Sequence, residues 1–253
     1  MGRLGDSFHL VSAEYDRGRP RYPDEAVRAM LEGLAHPPDV VDIGAGTGQL
    51  SLALLDAGAR VVAVEPGPEQ RAVLEARVAG RAARVLDARA EELPLDDSSA
   101  DLVVCADSFH WLDADAALAE FRRVLRPGAR LCLSSLMPRW EPAAWAEETG
   151  AILAPLWKRA EHPLLAGGFR ILELPEGSGF ERDSEREIPF VLHTDRDGLL
   201  ALFSSWSAVA SLPDDERAEV RERLGAVLSR HGVGKLDLTF AAQLRLYAAR
   251  CSV

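Results

Sequence analysis

The stretch VDIGAGTGQ, residues 41–49, places three glycines within five positions directly after a short apolar run. Glycine tolerates positive φ and lets another group approach the backbone where a Cβ would block it, so clustered glycines at a strand end are typical of a small-molecule site. The residues at 39–43 are expected to form a buried strand, and those from Gln49 a helix ended by Gly58. This strand, loop and helix predict an α/β domain whose loop binds a ligand.

Helical and strand patterns alternate on both sides of the glycine loop. Before it, Asp24 is expected to cap a helix that the pair Pro37-Pro38 ends. After it, strands are predicted from RVVAVEP, ARVLDA, DLVVCAD and ARLCLSS, and helices from EQRAVLEARVAG and DADAALAEFRRVLRPG, the latter ended by Pro127-Gly128. Because this alternation specifies right-handed βαβ units, the predicted fold class is α/β, with a doubly wound, Rossmann-like, mostly parallel sheet.

The pattern changes beyond residue 135. Residues 180–192 are expected to form a strand, and 195–207 and 214–230 to form helices. The segment KLDLTFAAQLRLYAAR predicts a long closing strand, although its Ala-rich second half is also compatible with a helix. These elements would complete a seven-stranded sheet.

Three regions are predicted along the chain. Residues 1–135 would form the ligand-binding core, with an N-terminal helical lid over 1–38. Residues 136–179 would form a helical insertion after the fifth strand that caps the substrate, and residues 180–253 would complete the sheet with further helices.

Composition limits the classes of partner. A formal net charge of −11 and a pI near 5.1 disfavour nucleic acid or an anionic membrane as a main partner, since both need a positive face. The three cysteines lack CxxC spacing, so neither a disulfide framework nor a metal site is predicted. We find neither a signal pattern nor an apolar run near the roughly 20 residues that span a bilayer. A cytoplasmic protein, monomeric or homodimeric, is expected.

Two ligand classes use a glycine loop at the end of the first strand: dinucleotides and S-adenosylmethionine. A dinucleotide fingerprint of the form GxGxxG, counted from Gly44, would require glycine where Gln49 stands. Glu65 ends the second strand, where a carboxylate can accept hydrogen bonds from two ribose hydroxyls in either class. Alternatively, Glu65 caps the helix that begins after Pro66.

Five motifs, in order and spacing, resemble those of class I S-adenosylmethionine-dependent methyltransferases of the small-molecule type: DIGAGTG, VVAVEP, ARAEELPL, DLVVCADSFHWLD and FRRVLRPGARL. The segments AEYDRGRPRYP and ASLPDDERAEVRERLGAVL resemble parts of the subgroup that contains trans-aconitate-like methyltransferases. The resemblance implies S-adenosylmethionine as cofactor, bound by the core, and transfer of its methyl group to a small-molecule acceptor by direct displacement.

The resemblance also implies roles for particular residues. The glycine loop would surround the methionine part of the cofactor, Glu65 would hold the ribose, and the segment 89–91 would contact the adenine. Ala106 would border the methyl group, and Arg19 on the lid would pair with the cofactor carboxylate. The implied cofactor-binding residues are Tyr15, Arg19, Asp42, Gly44, Ala45, Gly46, Thr47, Gln49, Glu65, Pro66, Arg89, Ala90, Glu91 and Ala106.

Residues for the acceptor are harder to assign. His110 follows the fourth strand, where it is a candidate general base or substrate ligand, with a structural role beside Trp111 as the alternative. Aromatic walls suit planar or apolar substrates, although tryptophans at helical spacing are more often core. The candidate acceptor-binding residues are Trp111, Trp140, Trp145 and Trp206.

Three other functions remain open at this point. A protein of this fold can use the cofactor as a scaffold for a non-methylating reaction such as a cyclisation or isomerisation. A NAD-dependent oxidoreductase is disfavoured by Gln49. A protein that senses the cofactor without turnover would carry the same binding motifs.

Overall fold

A computed structural model of the chain describes residues 18–159 and 172–249. The strands are β1 (Asp39–Ile43), β2 (Arg60–Val64), β3 (Ala83–Leu86), β4 (Ala100–Ala106), β5 (Leu125–Arg139), β6 (Phe180–Thr194) and β7 (Leu236–Ala249). The helices are α1 (Asp24–Leu31), α2 (Gln49–Asp56), α3 (Pro68–Val78), α4 (Ala114–Val124), α5 (Ala144–Arg159), α6 (Arg196–Ser204), α7 (Ser207–Ala210) and α8 (Asp214–Arg230). A 3-10 turn, Phe109–Trp111, follows β4.

The strands form one seven-stranded sheet in the order β3-β2-β1-β4-β5-β7-β6. Strands β1 to β5 pair in parallel, and Val40 of β1 lies between Val61 of β2 and Leu102 of β4. The chain builds outward from β1 to β3 and then returns to β1's other side with β4. This reversal confirms the doubly wound α/β class and creates a switch point at the carboxyl ends of β1 and β4, where such sheets bind ligands.

The last two strands run antiparallel to each other. Side chains pair as His193 with Asp237, Glu187 with Gln243 and Glu185 with Arg245, so the residue number rises along one strand as it falls along the other. The sheet is therefore mixed. The predicted closing strand is confirmed over Leu236–Ala249, and the helical alternative for its Ala-rich half is wrong.

Two predicted helix boundaries need correction. Pro23 is the N-cap residue of α1, and Asp24 lies in the first turn, where its carboxylate faces the positive end of the helix dipole without capping it. The helix ends at Leu31, and Gly33 follows with φ +77°, so Pro37-Pro38 is not the stop.

The helix α4 also ends earlier than predicted, at Val124 and not at Pro127-Gly128. Leu125 already pairs with Ala100 of β4, whereas the next pair is Leu102 with Arg130. The residues between Leu125 and Arg130 form a bulge, which accommodates the proline and the positive φ of Gly128 within β5.

The chain divides into two compact units. We call the described residues 21–137, 172–188 and 242–249 the core unit, and 18–20, 138–159 and 189–241 the helical unit. The three regions predicted along the sequence stay a prediction.

Each unit has its own apolar interior. In the core unit, α4 buries Ala117, Leu118, Phe121 and Val124, which recur every three or four residues and so share one helix face. In the helical unit, the helices α5 to α8 pack against one another, and α8 buries Val220, Leu224, Val227 and Leu228 as its spacing predicts.

Candidate functional site

The glycine loop joins β1 to α2 at the switch point of the sheet. Gly44, Gly46 and Gly48 have φ of +66°, +58° and +91°. The amides of Gly44 and Ala45 both donate to Val64 O at the end of β2, at 2.9 and 3.1 Å. A Cβ on Gly44 would lie 2.7 Å from Ser108 Cβ, so the loop and the segment after β4 pack at a distance that only glycine permits.

Glu65 ties this loop to the turn that follows β2. Its Oε2 accepts from the Gly46 amide and its Oε1 from the Gly67 amide, both at 2.8 Å. The side chain is 6% exposed, and burial raises its pKa while the two backbone hydrogen bonds lower it. The N-cap residue of α3 is Gly67, so Glu65 is not the cap itself. An ionised carboxylate has about four acceptor sites, which leaves capacity here for further donors.

Asp42, near the end of β1, is a buried acid with one unsatisfied oxygen. Its Oδ2 accepts from Ser51 Oγ of α2 at 2.6 Å, whereas Oδ1 has no hydrogen-bond partner among the described residues. Burial raises its pKa to about 7, and the nearby charge of Glu65 adds to that rise. Thr47 Oγ1 is likewise buried without a partner in the described part of the chain. Buried polar atoms of this kind need a partner, which a bound ligand or an ordered water can supply.

Arg71 of α3 supports the turn that holds Glu65, and sequence reasoning missed it. Its Nη1 donates to Glu65 O and Pro66 O, each at 3.0 Å, and its Nη2 pairs with Asp87 after β3 at 2.9 Å. Arg71 thereby links the carboxyl ends of β2 and β3. An arginine one helical turn into α3 carries no sequence signal for this role, because surface arginines on helices are common.

The segment after β3 holds the three residues expected to contact adenine. Ala90 is buried, and Arg89 is exposed with its Nε 3.6 Å from Glu91 Oε2. Glu91 Oε1 accepts from the Asp113 amide at 3.0 Å, which joins this segment to the start of α4. The structure therefore brings the three residues to the same edge of the sheet as Glu65.

The end of β4 carries further polar residues that sequence reasoning missed. Ala106 ends the strand, and Asp107 follows with φ +52°, a conformation that aspartate tolerates better than most residues. Asp107 Oδ1 accepts from Ser135 Oγ, and Ser108 Oγ donates to Ile43 O at 2.6 Å. The hydroxyls of Tyr22 and Ser134 lie 3.0 Å apart. Burial, followed by the charge of Asp107, raises the pKa of Tyr22.

His110 and Trp111 lie on the 3-10 turn that follows these residues. Their ring centroids are 4.9 Å apart at an interplanar angle of 46°. This contact fits the structural alternative for His110 and does not conflict with a role toward an acceptor.

The helical unit holds Arg19 and the other predicted tryptophans. Arg19 Nε donates to Ser205 Oγ at 3.0 Å. Trp140, which is 38% exposed, contacts Trp145, Phe203 and Trp206 at centroid distances of 5.9, 6.0 and 6.4 Å. Tyr15 lies outside the described residues. The three predicted acceptor tryptophans of this unit thus form one aromatic cluster.

Two absences hold for the described ranges 18–159 and 172–249. They contain no helix with the length and apolar character needed to cross a bilayer. Within the same ranges, no three His, Cys, Asp or Glu side chains are grouped in a way that could hold a metal ion.

A doubly wound sheet with a glycine loop and an acid at the end of β2 is typical of α/β proteins that bind nucleosides. The profile of the family described as "Methyltransferase domain" matches residues 41–133. The chain is 36% identical over 225 residues to an uncharacterized methyltransferase of Mycobacterium tuberculosis, covering 89% of this chain and 86% of that protein. An uncharacterized methyltransferase of Schizosaccharomyces pombe is 26% identical over 228 residues, covering 89% and 88%.

Comparison with solved structures also gives methyltransferases. A protein of Anaeromyxobacter dehalogenans assigned to the type II methyltransferases superposes with a TM-score of 0.64 at 29% identity, covering 90% of this chain and 97% of that one. The chain belongs to the class I S-adenosylmethionine-dependent methyltransferases and is an enzyme of that class. The relatives favour neither the scaffold reaction nor the oxidoreductase.

Proposed function

We propose that this enzyme transfers the methyl group of S-adenosylmethionine to a small-molecule acceptor by direct displacement, with the cofactor held at the switch point of the core unit. The observation that carries this proposal is Glu65, whose buried carboxylate joins the glycine loop to the turn after β2. It retains acceptor capacity for the two ribose hydroxyls of a nucleoside.

The residues at this edge of the sheet fit the cofactor that the family uses. The unsatisfied Asp42 Oδ1 and Thr47 Oγ1 are acceptors that suit a ligand with positive charge and hydrogen-bond donors. The positive φ of Gly46 exposes its backbone rather than a side chain to a ligand. We assign the methionine part to the segment 42–47 and to Gln49, the ribose to Glu65 beside Pro66, and the adenine to 89–91.

The bound cofactor supplies an activated methyl group on a positively charged sulfur. The task of the chain is then to align the acceptor with that methyl group and to exclude water, which can contribute roughly 7–11 kcal/mol in favourable cases. Ala106, at the end of β4, is small enough to leave room beside the methyl group. We assign His110 the removal of a proton when the acceptor is a hydroxyl or an amine.

The acceptor itself is assigned to aromatic residues. Trp140 is one of two large apolar side chains that are exposed among the described residues, and its ring is the centre of the cluster with Trp145 and Trp206. Flat apolar surfaces of this kind bind planar or apolar groups. With Trp111, these residues are our candidates for the acceptor site, and Arg19 is our candidate for the cofactor carboxylate.

Mass spectrometry of the products tests this function. The enzyme is incubated with methyl-deuterated S-adenosylmethionine and a panel of small hydroxyl, amine and carboxylate compounds. We expect one acceptor to gain the labelled methyl group, and the Trp140→Ala variant to raise KM for that acceptor by about tenfold, since truncation of an interface tryptophan commonly costs more than 1 kcal/mol. An acceptor that is converted without a gain in mass would contradict methyl transfer.

We further propose that the enzyme works in the cytoplasm as a monomer or homodimer, without nucleic acid or membrane as partner. The acidic balance of the chain supports this, because a net charge of −11 opposes binding to polyanionic surfaces.

A further inference from the structure

Asp42 and Glu65 place two buried acids around the glycine loop. Asp42 lies on β1 and is 1% exposed, and Glu65 follows β2 and is 6% exposed. Both are held by donors: Asp42 by the hydroxyl and the backbone amide of Ser51, and Glu65 by the Gly46 and Gly67 amides. Each oxygen of Glu65 accepts a hydrogen bond, whereas Asp42 Oδ1 has no partner among the described residues. Asp42 is therefore the acid of this pair whose charge is less well compensated.

The groups that face Asp42 come from each neighbouring element of the core unit. They are Glu65 after β2, the Cys105 thiol on β4, the Tyr22 phenol before α1 and the Ser51 hydroxyl on α2. None of these groups is cationic. They are neutral or negative, so a cationic ligand would supply the missing compensation.

The methyl donor and its product differ in this respect. S-Adenosylmethionine carries one net positive charge because of its sulfonium, whereas S-adenosylhomocysteine is a neutral zwitterion. Resting on the cofactor site proposed above, we propose that Asp42 is a specificity-determining residue that makes the site prefer the cationic methyl donor over its neutral product, and that the bound donor stabilises the ionised form of Asp42.

The proton balance follows directly. Below about pH 7, where Asp42 is largely protonated in the free enzyme, its carboxyl releases its proton to solvent when the sulfonium compound binds, and the resulting carboxylate stays charged while the cation is present. Methyl transfer removes the positive charge, and Asp42 takes a proton back from solvent. The buried side chain need not touch the ligand, because charges interact strongly through a medium of low dielectric. Loss of the charge pairing weakens the hold on the product and favours its release.

The direction of the pH dependence can be stated. Since burial raises the pKa of Asp42 to about 7, the free enzyme carries it largely protonated at pH 6 and largely ionised at pH 7.5. Binding of the cation must then displace a proton at pH 6 but not at pH 7.5. The affinity for S-adenosylmethionine should fall by about tenfold from pH 7.5 to pH 6, whereas that for S-adenosylhomocysteine should change little.

Isothermal titration calorimetry of the full chain tests this, with S-adenosylmethionine and S-adenosylhomocysteine as separate probes at pH 6 and pH 7.5. At pH 6, buffers of different ionisation enthalpy report the protons released. For the wild type we expect release of nearly one proton with the methyl donor and few with the product. The Asp42→Asn variant keeps the shape of the side chain but cannot ionise, so its difference in proton release should vanish and its preference for the donor should shrink.

Two outcomes are decisive against the proposal. Asp42→Asn with the proton release and donor preference of the wild type would overturn it. A second variant, Ser51→Ala, tests the proposal even if Asp42→Asn does not fold. It removes the hydroxyl that favours the ionised acid, so the fall in donor affinity should move to higher pH, and an unmoved profile would overturn the proposal. A wild type that binds neither compound would instead refute the proposed cofactor site itself.

Discussion

At the scale of single residues, the site depends on backbone conformations that few side chains tolerate. Gly44 and Asp107 both have positive φ, and they flank the contact between the glycine loop and the end of β4. Ser108 completes that contact through its hydrogen bond to Ile43 O and its packing beneath Gly44. Strained conformations of this kind persist where the surrounding structure holds them, often at functional sites.

Gly44→Ala should therefore lower the free energy of unfolding more than Gly80→Ala, because both glycines have positive φ but only Gly44 is crowded by a neighbouring side chain. At both positions alanine would have to adopt a positive φ. At Gly44 the new Cβ would also lie 2.7 Å from Ser108 Cβ, whereas at Gly80 it would have no atom within 4 Å. We expect Gly80→Ala to lose about 1 kcal/mol of unfolding free energy and Gly44→Ala roughly 1–3 kcal/mol more, measured by urea unfolding. Equal losses would show that Ser108 does not confine the loop.

At the scale of elements, the connection between β3 and β4 is held by α4 rather than by a helix of its own. Arg123 of α4 donates to Leu93 O at 2.9 Å and to Leu95 O at 2.6 Å, and Glu120 accepts from the Leu93 amide at 2.8 Å. Leu93 and Ala90 pack into the core cluster of this unit. Because the proposed adenine contacts at 89–91 belong to the same connection, α4 also positions part of the site.

Removal of the Arg123 side chain should destabilise the core unit. Arg123→Ala leaves the carbonyls of Leu93 and Leu95 without their donor, and we expect a loss on the order of 2 kcal/mol in the free energy of unfolding. Arg84 on β3 is an exposed arginine for which the described residues provide neither a hydrogen bond nor an ion pair, so Arg84→Ala should change stability by less than about 0.5 kcal/mol. Similar losses of unfolding free energy in the two variants, measured in parallel by chemical unfolding, would contradict a role of Arg123 in holding the connection between β3 and β4.

At the scale of the whole molecule, the α/β alternation was predictable because each strand and helix has a local sequence pattern. Apolar runs such as 39–43 and glycines such as Gly58 mark where elements begin and end. The glycine loop and Glu65 were predictable as site residues because clustered glycines at one strand end and an acid at the next are typical of a ligand site. Arg71, Ser108 and Asp107 were missed because their roles depend on contacts between elements far apart in sequence.

The division into units has a similar origin. Strands β6 and β7 each pass from one unit to the other, at residues 188–189 and 241–242. Each unit therefore collects separated stretches of chain, and such an arrangement arises from long-range packing rather than from a local sequence signal. The early end of α4 is a further example, since pairing of Leu125 with Ala100 overrides the boundary that Pro127 suggests.

The most direct test of the proposed cofactor site is the affinity of the chain for S-adenosylmethionine, measured by calorimetry in the wild type and in Glu65→Ala. The lost charged hydrogen bonds should weaken binding by about 1.5–3 kcal/mol. Glu69→Ala, which removes an exposed acid from α3, should bind as the wild type does. Wild-type affinity in Glu65→Ala, or binding of NAD in place of S-adenosylmethionine, would contradict the account.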